Sequence, residues 1–422
     1  MIAERMSQQM IRRGLKGTRF SPLEPEFPAD LDGVGWYIHL PFCRRLCPYC
    51  CFHSLQYSPS KVAPYIEAVK KEILTYCDRL GKIKIGDVYF GGGTPSLTWE
   101  GILEIMDFIR SRFDMEGEVG FEANPEDINA AMCQAVKQAG VTKISLGVQS
   151  FDDEVLGNMR RGYDAKAVLK AIELLLGNGF YVSIDLMHGL PRQQIPSLLG
   201  DLEMAAGTGV NQISYYPLML FPYTRWYHDV QKGHITTPSS RLEREMFYTV
   251  CDFLTANGYK QATCWEFTNG DKGGAQYATC TRDENIGVGL SAYTKIGGLF
   301  YVNTFSLREY IKRVETGLPI ATGTITPPNR VMRRWFMMGL YRLGVEKSEF
   351  ERRFGVKMEK AMSRFLLMLK LMNIIKEHPT HVQVTRDGMY WASLMTKASM
   401  LNLPARYYEE CLHSPWPADF EL

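Results

Sequence analysis

The feature that most constrains the fold of this chain is a repeated alternation of short apolar runs with longer amphipathic runs. It begins near residue 37 and continues to residue 217. The short runs predict β-strands, and the runs between them have helical spacing, as in Lys61–Leu80. The predicted strands are Trp36–Leu40, Asp87–Phe90, Val119–Glu122, Lys143–Gly147, Tyr181–Leu186 and Gln212–Pro217. Strands that alternate with helices predict parallel βα units, and six units are too few for a closed barrel, so we expect an α/β fold, a partial (βα)6 barrel of the TIM type.

Unusual residues stand where these predicted strands end. A cysteine-rich loop follows the first strand, and Gly91-Gly92-Gly93 follows the second. Glu122 closes the third strand, Gln149 follows the fourth, and Asp185 lies late in the fifth. Because active sites of such barrels lie on the loops after the C-terminal ends of the strands, we expect these residues to converge on one mouth.

The cysteine-rich loop carries Cys43, Cys47 and Cys50 in the spacing C-x3-C-x2-C. Three thiolates can hold three irons of a cubic [4Fe–4S] cluster and leave the fourth iron open to a small molecule. A zinc site is the first alternative, although zinc usually takes four closed ligands, and His53 follows Cys50 too closely to complete a tetrahedron comfortably. Disulfides are the second alternative, which the absence of a secretory signal and the poor geometry of adjacent Cys50 and Cys51 disfavour.

Composition narrows the classes of function. The chain has 422 residues with a formal net charge of +2, which gives no electrostatic case for nucleic acid. Its ten cysteines follow no disulfide pattern, so a reducing, cytoplasmic location is expected. No stretch has the apolar length of a membrane span. Six further cysteines are expected to be mostly buried apolar residues: Cys77, Cys133, Cys251, Cys264, Cys280 and Cys411.

The alternation also suggests how the chain is divided. Residues 1–35 form an N-terminal extension, 36–225 the partial barrel, 226–325 a flanking substrate region and 326–422 a small C-terminal domain. The linker is predicted at Ile325–Asn329, which contains two prolines. Beyond it, three predicted helices and a hairpin are typical of a winged-helix-like domain. These helices are Arg330–Leu343, Lys347–Phe354 and Lys360–Asn373.

Five sequence motifs then follow one another in order. They are Tyr37–Cys43 (YIHLPFC), Tyr89–Pro95 (YFGGGTP), Phe121–Pro125 (FEANP), Ser145–Phe151 (SLGVQSF) and Ile184–Pro191 (IDLMHGLP). With the cysteine spacing, this series resembles the radical SAM superfamily, and within it the group of oxygen-independent coproporphyrinogen III oxidase-like proteins. The resemblance covers residues 36 to 400, and five ordered motifs are far more specific than a lone glycine run.

The resemblance implies a [4Fe–4S] cluster whose open iron binds S-adenosylmethionine (SAM), with two SAM molecules in family members. It implies Cys43, Cys47 and Cys50 as iron ligands. The positions that match first-SAM contacts are Tyr37, Gly92 and Glu122. The positions that match second-SAM contacts are Tyr49, Gly93, Thr94, Gln149, Arg161 and Asp185, with Tyr216 and Tyr293 as looser matches. Gly91 to Gly93 would let the backbone approach the methionine moiety, and they also suit a tight strand-to-helix turn.

The group contains several activities, and two sequence features separate them. Decarboxylases of the group carry a further cysteine two positions after the third ligand, where this chain has Phe52, and Cys51 stands one position earlier. The segments after residue 260 resemble the menaquinone C-methyltransferase (class C-type) branch: Cys264–Phe267, Asn285–Tyr293, Leu299–Leu307 and Trp335–Tyr341. The resemblance therefore predicts a two-SAM methyltransferase that modifies an sp2 ring carbon of menaquinone.

The alternatives are a heme chaperone, with His39 and His188 as candidate heme ligands, and an oxygen-independent coproporphyrinogen III dehydrogenase. For the methyltransferase, we expect an aromatic lipoquinone substrate in a slot of apolar rings. The candidate rings are Trp265, Phe267, Tyr293, Tyr301 and Phe305. The expected partners are a reductant such as flavodoxin or ferredoxin and the inner face of the membrane. Membrane contact is predicted through the basic N-terminus (Arg12, Arg13, Lys16, Arg19) or the Met-rich helix Met389–Leu403.

Overall fold

A computed structural model of the chain describes residues 2–28, 31, 33–270 and 284–422. Cys280 lies outside these residues. The strands of the first half are β1 (Arg19–Phe20), β2 (Val34–Leu40), β3 (Phe42–Cys43), β4 (Leu55–Gln56), β5 (Lys84–Gly92), β6 (Asp114–Met115), β7 (Val119–Ala123), β8 (Val141–Gln149), β9 (Tyr181–His188) and β10 (Gln212–Pro217). Those of the second half are β11 (Lys260–Gln261), β12 (Glu266–Thr268), β13 (Asn285–Val288), β14 (Tyr293–Ile296), β15 (Leu299–Asn303), β16 (Ile320–Ile325), β17 (Gly344–Glu346), β18 (Ile375–Glu377), β19 (His381–Val384) and β20 (Phe420–Glu421).

Helices alternate with these strands through the first half of the chain, and the described residues form fourteen α-helices in all. They are α1 (Ile2–Leu15), α2 (Pro59–Leu80), α3 (Trp99–Arg110), α4 (Ala130–Gln138), α5 (Asp153–Asn158), α6 (Ala165–Gly177), α7 (Ile195–Gly207), α8 (Arg225–Gln231), α9 (Ser240–Ala256), α10 (Leu307–Arg313), α11 (Pro328–Tyr341), α12 (Lys347–Phe354), α13 (Met358–Leu371) and α14 (Arg386–His413).

Helix α6 shows why such a segment is helical. The Asp164 carboxylate accepts a hydrogen bond from the Ala167 N–H at 2.8 Å, which caps the first turn. Val168, Ile172 and Leu175 recur at helical spacing, and all three are buried. The apolar stripe therefore packs towards the sheet, while the polar face of the helix meets water.

The central sheet confirms the predicted parallel core. Strands β2, β5, β7, β8, β9 and β10 lie side by side in chain order, and every neighbouring pair is parallel. Beyond β2, the sheet continues with β13, β14, β15 and β16, and beyond β10 it continues with β12 and β11. Among the described residues, the end strands β11 and β16 do not pair with each other. The sheet is therefore open, as expected from six units.

The two faces of this sheet differ in chemistry. Phe90, Phe121 and Ile144 lie in register on β5, β7 and β8 and point to the apolar side, where they are fully or almost fully buried in the main core. The next positions on β7 and β8 point to the opposite face and carry the polar side chains of Glu122 and Ser145, which pair in register across the two strands. Because the C-terminal ends of parallel strands lie at the same edge of the sheet, this polar face lies next to the loops that hold the predicted site.

The C-terminal region contains the predicted helices and hairpin. Helices α11, α12 and α13 and a small three-stranded sheet make up this region, and the strand order of the sheet is β17-β19-β18. Trp335 and Phe336 of α11 belong to the same apolar cluster as the main sheet. This region therefore packs onto the rest of the protein through a continuous core.

The segments predicted to touch a membrane are engaged within the protein. Helix α1 packs on α14, where the Arg12 Nε donates to the Asn402 Oδ1 at 3.1 Å. Arg19 forms an ion pair with Asp419. The run Met389–Leu403 lies inside α14, and its Leu394 and Met395 are buried. No helix within the described ranges combines the length and apolar character needed to cross a bilayer.

Candidate functional site

The cysteine-rich segment forms a compact loop, which we call the cluster loop (residues 43–54), between the parallel strands β3 and β4. The Leu55 N–H donates to the Pro41 carbonyl at 2.7 Å, and the Tyr57 N–H donates to the Cys43 carbonyl at 2.9 Å. Within the loop, the Cys50 N–H donates to the Cys47 carbonyl at 3.2 Å. These backbone bonds return the chain to its starting point, so the cysteines stay at the end of the sheet.

Asp127, in the turn after β7, ties the cluster loop to two other loops. Its Oδ1 accepts hydrogen bonds from the Arg44 Nε at 3.1 Å and Nη2 at 2.8 Å. Its Oδ2 accepts from the Ser96 hydroxyl at 2.8 Å. The Asp127 side chain is almost completely buried. Three strand ends are therefore fastened around one carboxylate.

Two polar side chains approach the predicted iron ligands. The Thr94 hydroxyl donates to the Cys43 Sγ at 3.5 Å, and the Arg161 Nη1 donates to the Cys47 Sγ at 3.4 Å. Burial, followed by neighbouring thiols, raises the pKa of the Cys50 thiol well above its usual value. Burial also raises the pKa of Cys43. A bound cation would offset this cost of forming buried thiolates.

The thiols of this loop supply the donor set that a cubane cluster takes. All three are free cysteines. In the described part of the chain, no group of three His, Cys, Asp or Glu side chains is arranged to hold a single metal ion. A cubane makes a different demand, because each thiolate binds its own iron and hydrogen bonds to the sulfurs tune the cluster. The donor set of three thiols, with polar donors on Cys43 and Cys47, meets that demand.

The remaining cysteines behave largely as predicted. Cys133, Cys251, Cys264 and Cys411 are buried, and Cys77 is half-buried. Burial raises the pKa of the Cys51 thiol to about 12, so this residue of the cluster loop stays protonated and acts as a small apolar filler.

The three glycines at the end of β5, of which Gly91 and Gly92 lie in the strand and Gly93 follows it, are required by close packing against the protein itself. A Cβ on Gly92, whose φ is 112°, would stand 2.3 Å from the His39 ring, and one on Gly93 would stand 2.5 Å from the Pro41 carbonyl carbon. A Cβ on Gly91 would lie 2.8 Å from the Tyr37 ring. Close packing where the strand turns towards the next helix is therefore sufficient to explain these glycines.

His39 links the first strand to the cluster loop. Its Nδ1 shares a hydrogen bond with the Tyr37 hydroxyl at 3.1 Å, and its Nε2 lies 2.9 Å from the His53 carbonyl oxygen. Burial lowers the pKa of His39 to about 4, so the ring is neutral. Because both ring nitrogens are occupied, His39 is not available as a heme ligand.

His188, the second candidate heme ligand, is buried on the helix side of the sheet. It alternates with Met187 along β9 and lies 6.0 Å, ring to ring, from Tyr215. Burial, followed by the charge of Lys397, lowers its pKa to about 3. This position lies across the sheet from Asp185 and the polar face, so the structure does not bring His188 to the site.

Two predicted carboxylates lie on the polar face. The Glu122 Oε2 accepts from the Gly92 N–H at 3.0 Å, and burial raises its pKa to about 7. The Asp185 Oδ2 accepts from the Ser145 hydroxyl at 3.0 Å, and burial raises its pKa to about 6. Glu122 and Asp185 interact electrostatically. The structure therefore brings together carboxylates from β7 and β9.

Arg161 connects this face to the cluster loop. Its Nη2 donates to the Gly147 carbonyl at 2.6 Å and to the Asn124 Oδ1 at 3.4 Å, while its Nε donates to the Tyr163 hydroxyl at 2.6 Å. Gln149, at the end of β8, has a φ of +71°, an uncommon conformation for a residue with a side chain. A strained backbone of this kind is often found at functional sites.

The predicted tyrosines lie in aromatic contacts. Tyr49 of the cluster loop is 5.3 Å, ring to ring, from Trp226. Tyr216 meets Trp265 edge-on at 5.7 Å, and Tyr293 stacks on Phe300 at 5.8 Å. Tyr49 therefore belongs to the cluster loop itself, while Tyr293 lies on β14, on the far side of β2.

Three of the five rings predicted to line an aromatic slot are core residues instead. Trp265, Phe267 and Tyr301 are buried in the core. The Trp265 Nε1 donates to the Ser393 hydroxyl at 2.8 Å, and the Tyr301 hydroxyl pairs with that of Tyr76 at 2.7 Å. These rings are packing residues with satisfied polar groups, so the prediction that they line a quinone site is wrong.

Several residues of the site were missed by sequence reasoning. Asn124 contacts Arg161 and donates from its Nδ2 to the Thr94 hydroxyl at 3.3 Å. The Ser145 hydroxyl donates to Asp185. Ser214 of β10 pairs in register with Asp185, and Glu266 of β12 pairs in register with Ser214. The alternation of polar and apolar residues in Gln212–Pro217 was the available signal for Ser214.

Comparisons with known proteins identify the superfamily of this chain. The model of the radical SAM superfamily matches residues 37–205. The heme chaperone HemW of Bacillus subtilis is 30% identical over 364 residues, which cover 83% of this chain and 95% of that protein. The anaerobilin synthase of Escherichia coli O157:H7 is 25% identical over 386 residues, which cover 87% of this chain and 85% of that protein.

The fold is shared with a solved structure. Coproporphyrinogen III oxidase (HemN) from Escherichia coli, described as a radical SAM enzyme, superposes with a TM-score of 0.74 at 21% identity. The match covers 87% of this chain and 90% of that one. The α/β fold is therefore the one found in HemN.

The relatives also correct the predicted activity. The menaquinone C-methyltransferase prediction is wrong, because relatives that this chain matches over 95% of their length are heme chaperones. Segments such as Cys264–Phe267, which suggested the methyltransferase branch, are short and largely buried. The family implies a [4Fe–4S] cluster and SAM, and the chain belongs to the radical SAM superfamily, within the family of the heme chaperone HemW.

Proposed function

We propose that this protein binds heme beside a SAM-carrying [4Fe–4S] cluster and acts as a heme chaperone. The observation that carries the proposal is the 30% identity to the Bacillus subtilis heme chaperone over 95% of its length. The three thiols of the cluster loop and the polar face of the sheet support the cofactor part of the proposal. When bound, the cluster and SAM supply one-electron and radical chemistry.

Aromatic rings next to the cluster loop suit a flat macrocycle. Tyr223 and Tyr408 are half-buried and stacked, with ring centroids 5.3 Å apart and an interplanar angle of 16°. The Phe305 ring meets Tyr408 edge-on at 4.6 Å, and the Tyr223 hydroxyl donates to the Cys51 carbonyl at 3.1 Å. Rings of this kind present apolar faces with a polar tip. We propose that heme binds against the Tyr223–Tyr408 pair.

We further propose two SAM positions, in line with the sequence motifs. The first uses Tyr37, Gly92 and Glu122, where the Glu122 carboxylate is held by the Gly92 N–H. The second draws on the residues around Arg161 and Asp185. Equilibrium dialysis of labelled SAM against cluster-reconstituted protein tests this, with a stoichiometry of two expected and a stoichiometry of one as the contrary result.

Heme binding is tested by anaerobic titration of the reconstituted full chain with heme. We expect a saturable Soret band at about one heme per chain and transfer of that heme to apomyoglobin. Replacement of Tyr223 and Tyr408 by serine should weaken heme binding, while Tyr57→Ser, outside the proposed surface, serves as the control. No Soret change, with the cluster intact, would overturn the chaperone proposal.

A second candidate function is supported by the anaerobilin synthase, with which 87% of this chain aligns. In that case the protein would consume heme rather than pass it on. The same anaerobic mixture, supplied with SAM and a reductant, distinguishes the two. Loss of the Soret band with release of a linear tetrapyrrole would indicate heme opening, and an unchanged heme mass would favour the chaperone.

We also propose that an acidic one-electron donor, a flavodoxin or ferredoxin, docks on the cluster loop. Leu46 and Phe52 are 47% and 52% exposed although both are large apolar residues. Arg44 and Arg45 beside them are about half-exposed. An apolar centre with a basic rim suits an acidic partner. Leu46→Ser should weaken binding of flavodoxin measured by calorimetry, and an unchanged affinity would contradict this docking site.

A further inference from the structure

Glu266 stands at the far end of the polar face, on β12. It pairs in register with Ser214 of β10, and Ser214 pairs with Asp185 of β9. Side chains that are paired across neighbouring strands point to the same face of a sheet. Glu266, Ser214 and Asp185 therefore form one row, and Glu266 belongs to the same face as the residues already described.

The carboxyl group of Glu266 is incompletely satisfied. The side chain is only 1% exposed, and its Oε2 has no hydrogen-bond partner among the residues that the structure describes. The Thr263 hydroxyl accepts a hydrogen bond from the Glu266 backbone N–H at 3.1 Å, and a side-chain hydrogen bond with Thr263 partly offsets the rise that burial causes in the pKa of the Glu266 carboxyl. A buried oxygen without a partner is costly, so such groups are usually paired once a ligand is present.

The groups around Glu266 are themselves acids. Glu266 interacts electrostatically with Asp185 on β9, Tyr181 on β9, Tyr89 on β5 and the adjacent Cys264. Burial raises the pKa of Glu266 to about 8, and the nearby Asp185 adds to the rise. Across one intervening strand, these two buried carboxyl groups repel each other when both are ionised, while the Arg161 guanidinium partly offsets the rise that burial causes in the pKa of Asp185. A positive charge placed between them would remove that repulsion.

We infer that Glu266, together with Asp185, forms a carboxyl pair that selects a positively charged ligand on the polar face of the sheet. This inference rests on the proposed SAM binding, and it adds a specificity-determining residue that the five sequence motifs do not contain. The charge that distinguishes SAM from S-adenosylhomocysteine is the sulfonium. The pair should therefore favour SAM over the neutral thioether.

The consequence is a coupling between ligand charge and proton release. Near neutral pH the pair retains at least one proton, and a bound cation favours the ionised form of both groups. Binding of SAM should release a proton that binding of S-adenosylhomocysteine does not release. SAM affinity should rise between pH 6 and pH 8, whereas the affinity for the thioether should remain nearly level.

The test is calorimetric binding of SAM and S-adenosylhomocysteine to the reconstituted full chain, in buffers of different ionisation enthalpy. We expect the wild-type protein to prefer SAM by about tenfold at pH 8, the effect of one favourable charge contact. Glu266→Gln keeps the size of the side chain and should reduce this preference to about twofold or less. Asp201→Asn is the matched control. Asp201 lies on helix α7 and is a buried carboxylate that accepts hydrogen bonds from the Ser150 hydroxyl and the Phe151 N–H.

The possible failures are distinguishable. If the wild-type protein binds neither ligand, the proposed function fails. If it binds SAM without extra proton release, or if Glu266→Gln keeps the full preference, the inference about Glu266 fails. The proton-release measurement uses only wild-type protein, so the inference can be overturned even if the Glu266 variant does not fold.

Discussion

The guanidinium of Arg161 donates a hydrogen bond to the Cys47 Sγ at 3.4 Å, although 114 residues separate the two in sequence. The same group binds the Gly147 carbonyl at the end of β8. Arg161 thus couples the cluster loop to the polar face, and it places a positive charge against a predicted iron ligand. Hydrogen bonds and charge near cluster sulfurs stabilise the reduced, more negative state.

We therefore predict that Arg161→Gln lowers the reduction potential of the reconstituted cluster. The replacement removes the charge and the donor to Cys47, so the reduced cluster loses stabilisation. A redox titration followed by electron paramagnetic resonance measures the shift. The neighbouring Arg160, which is exposed, provides the control variant Arg160→Gln. Equal potentials for both variants would show that the contact has no electronic effect.

Asp127→Ala should loosen the cluster loop. The change leaves the Arg44 guanidinium and the Ser96 hydroxyl without their shared acceptor, and we expect a loss of about 2–4 kcal/mol in unfolding free energy. Urea denaturation measures the loss, and the iron content after reconstitution should fall in parallel. Glu126→Ala breaks only the more exposed contact with Arg45 and should cost less than about 1 kcal/mol. Similar losses for the two variants would contradict the role of Asp127.

Gly92→Ala should be poorly tolerated. The residue has a φ of 112°, and its Cβ would stand 2.3 Å from the His39 ring, whose two nitrogens are both engaged. We expect a destabilisation of about 3 kcal/mol or more, measured by urea denaturation. Gly81→Ala is a matched control, because Gly81 also has a positive φ of 66° but open space around its Cβ, and it should cost about 1 kcal/mol. If both variants lose the same stability, the contact with His39 is not the reason.

Glu72 should make stability depend on pH. Its carboxyl group is fully buried and is bonded to the Gly289 N–H, the Asn303 Nδ2 and the Tyr310 hydroxyl. Burial raises its pKa to about 7, against an ordinary value of 4.5. The native state therefore holds this proton more tightly than the unfolded state, so the contribution is fully present below pH 4.5 and is lost as the pH rises to 7.

The resulting loss is about 2 kcal/mol between pH 5 and pH 8, on the scale set by the two pKa values. Glu72→Gln cannot titrate, so subtracting its pH profile of unfolding free energy from the wild-type profile isolates the effect. The two buried histidines with lowered pKa values, His39 and His188, act in both proteins and cancel in this difference. A flat difference between the two profiles would rule out titration of Glu72 in this range.

The sequence was sufficient for the parallel core. The strand Gln212–Pro217 and the helix Lys347–Phe354 have the predicted bounds. The helix predicted at Lys61–Leu80 begins slightly earlier, at Pro59. These elements were predictable because local periodicity reports which face of an element is buried. The convergence of Glu122 and Asp185 was predictable for a related reason, since parallel strands end at the same edge.

Contacts between distant segments were not predictable in this way. Periodicity shows that Trp265 and Tyr301 are buried but does not show whether they face a ligand or the core, which is why the aromatic slot was wrong. The pairing of β13 with β2 joins residues about 250 positions apart, and no local pattern encodes it. Glu266 was missed because a three-residue strand offers too little alternation to assign its face.

The pairing of β1 with β20 has a consequence for how the chain matures. Phe20 lies opposite Phe420, and their rings stack with centroids 5.0 Å apart. Helix α1 is also held by α14 through Arg12 and Asn402. During synthesis, residues 19–20 leave the ribosome long before residues 420–421, so they cannot pair with their partner strand until residues 420–421 have been translated. The N-terminal strand β1 therefore cannot complete its native pairing before β20 has been made.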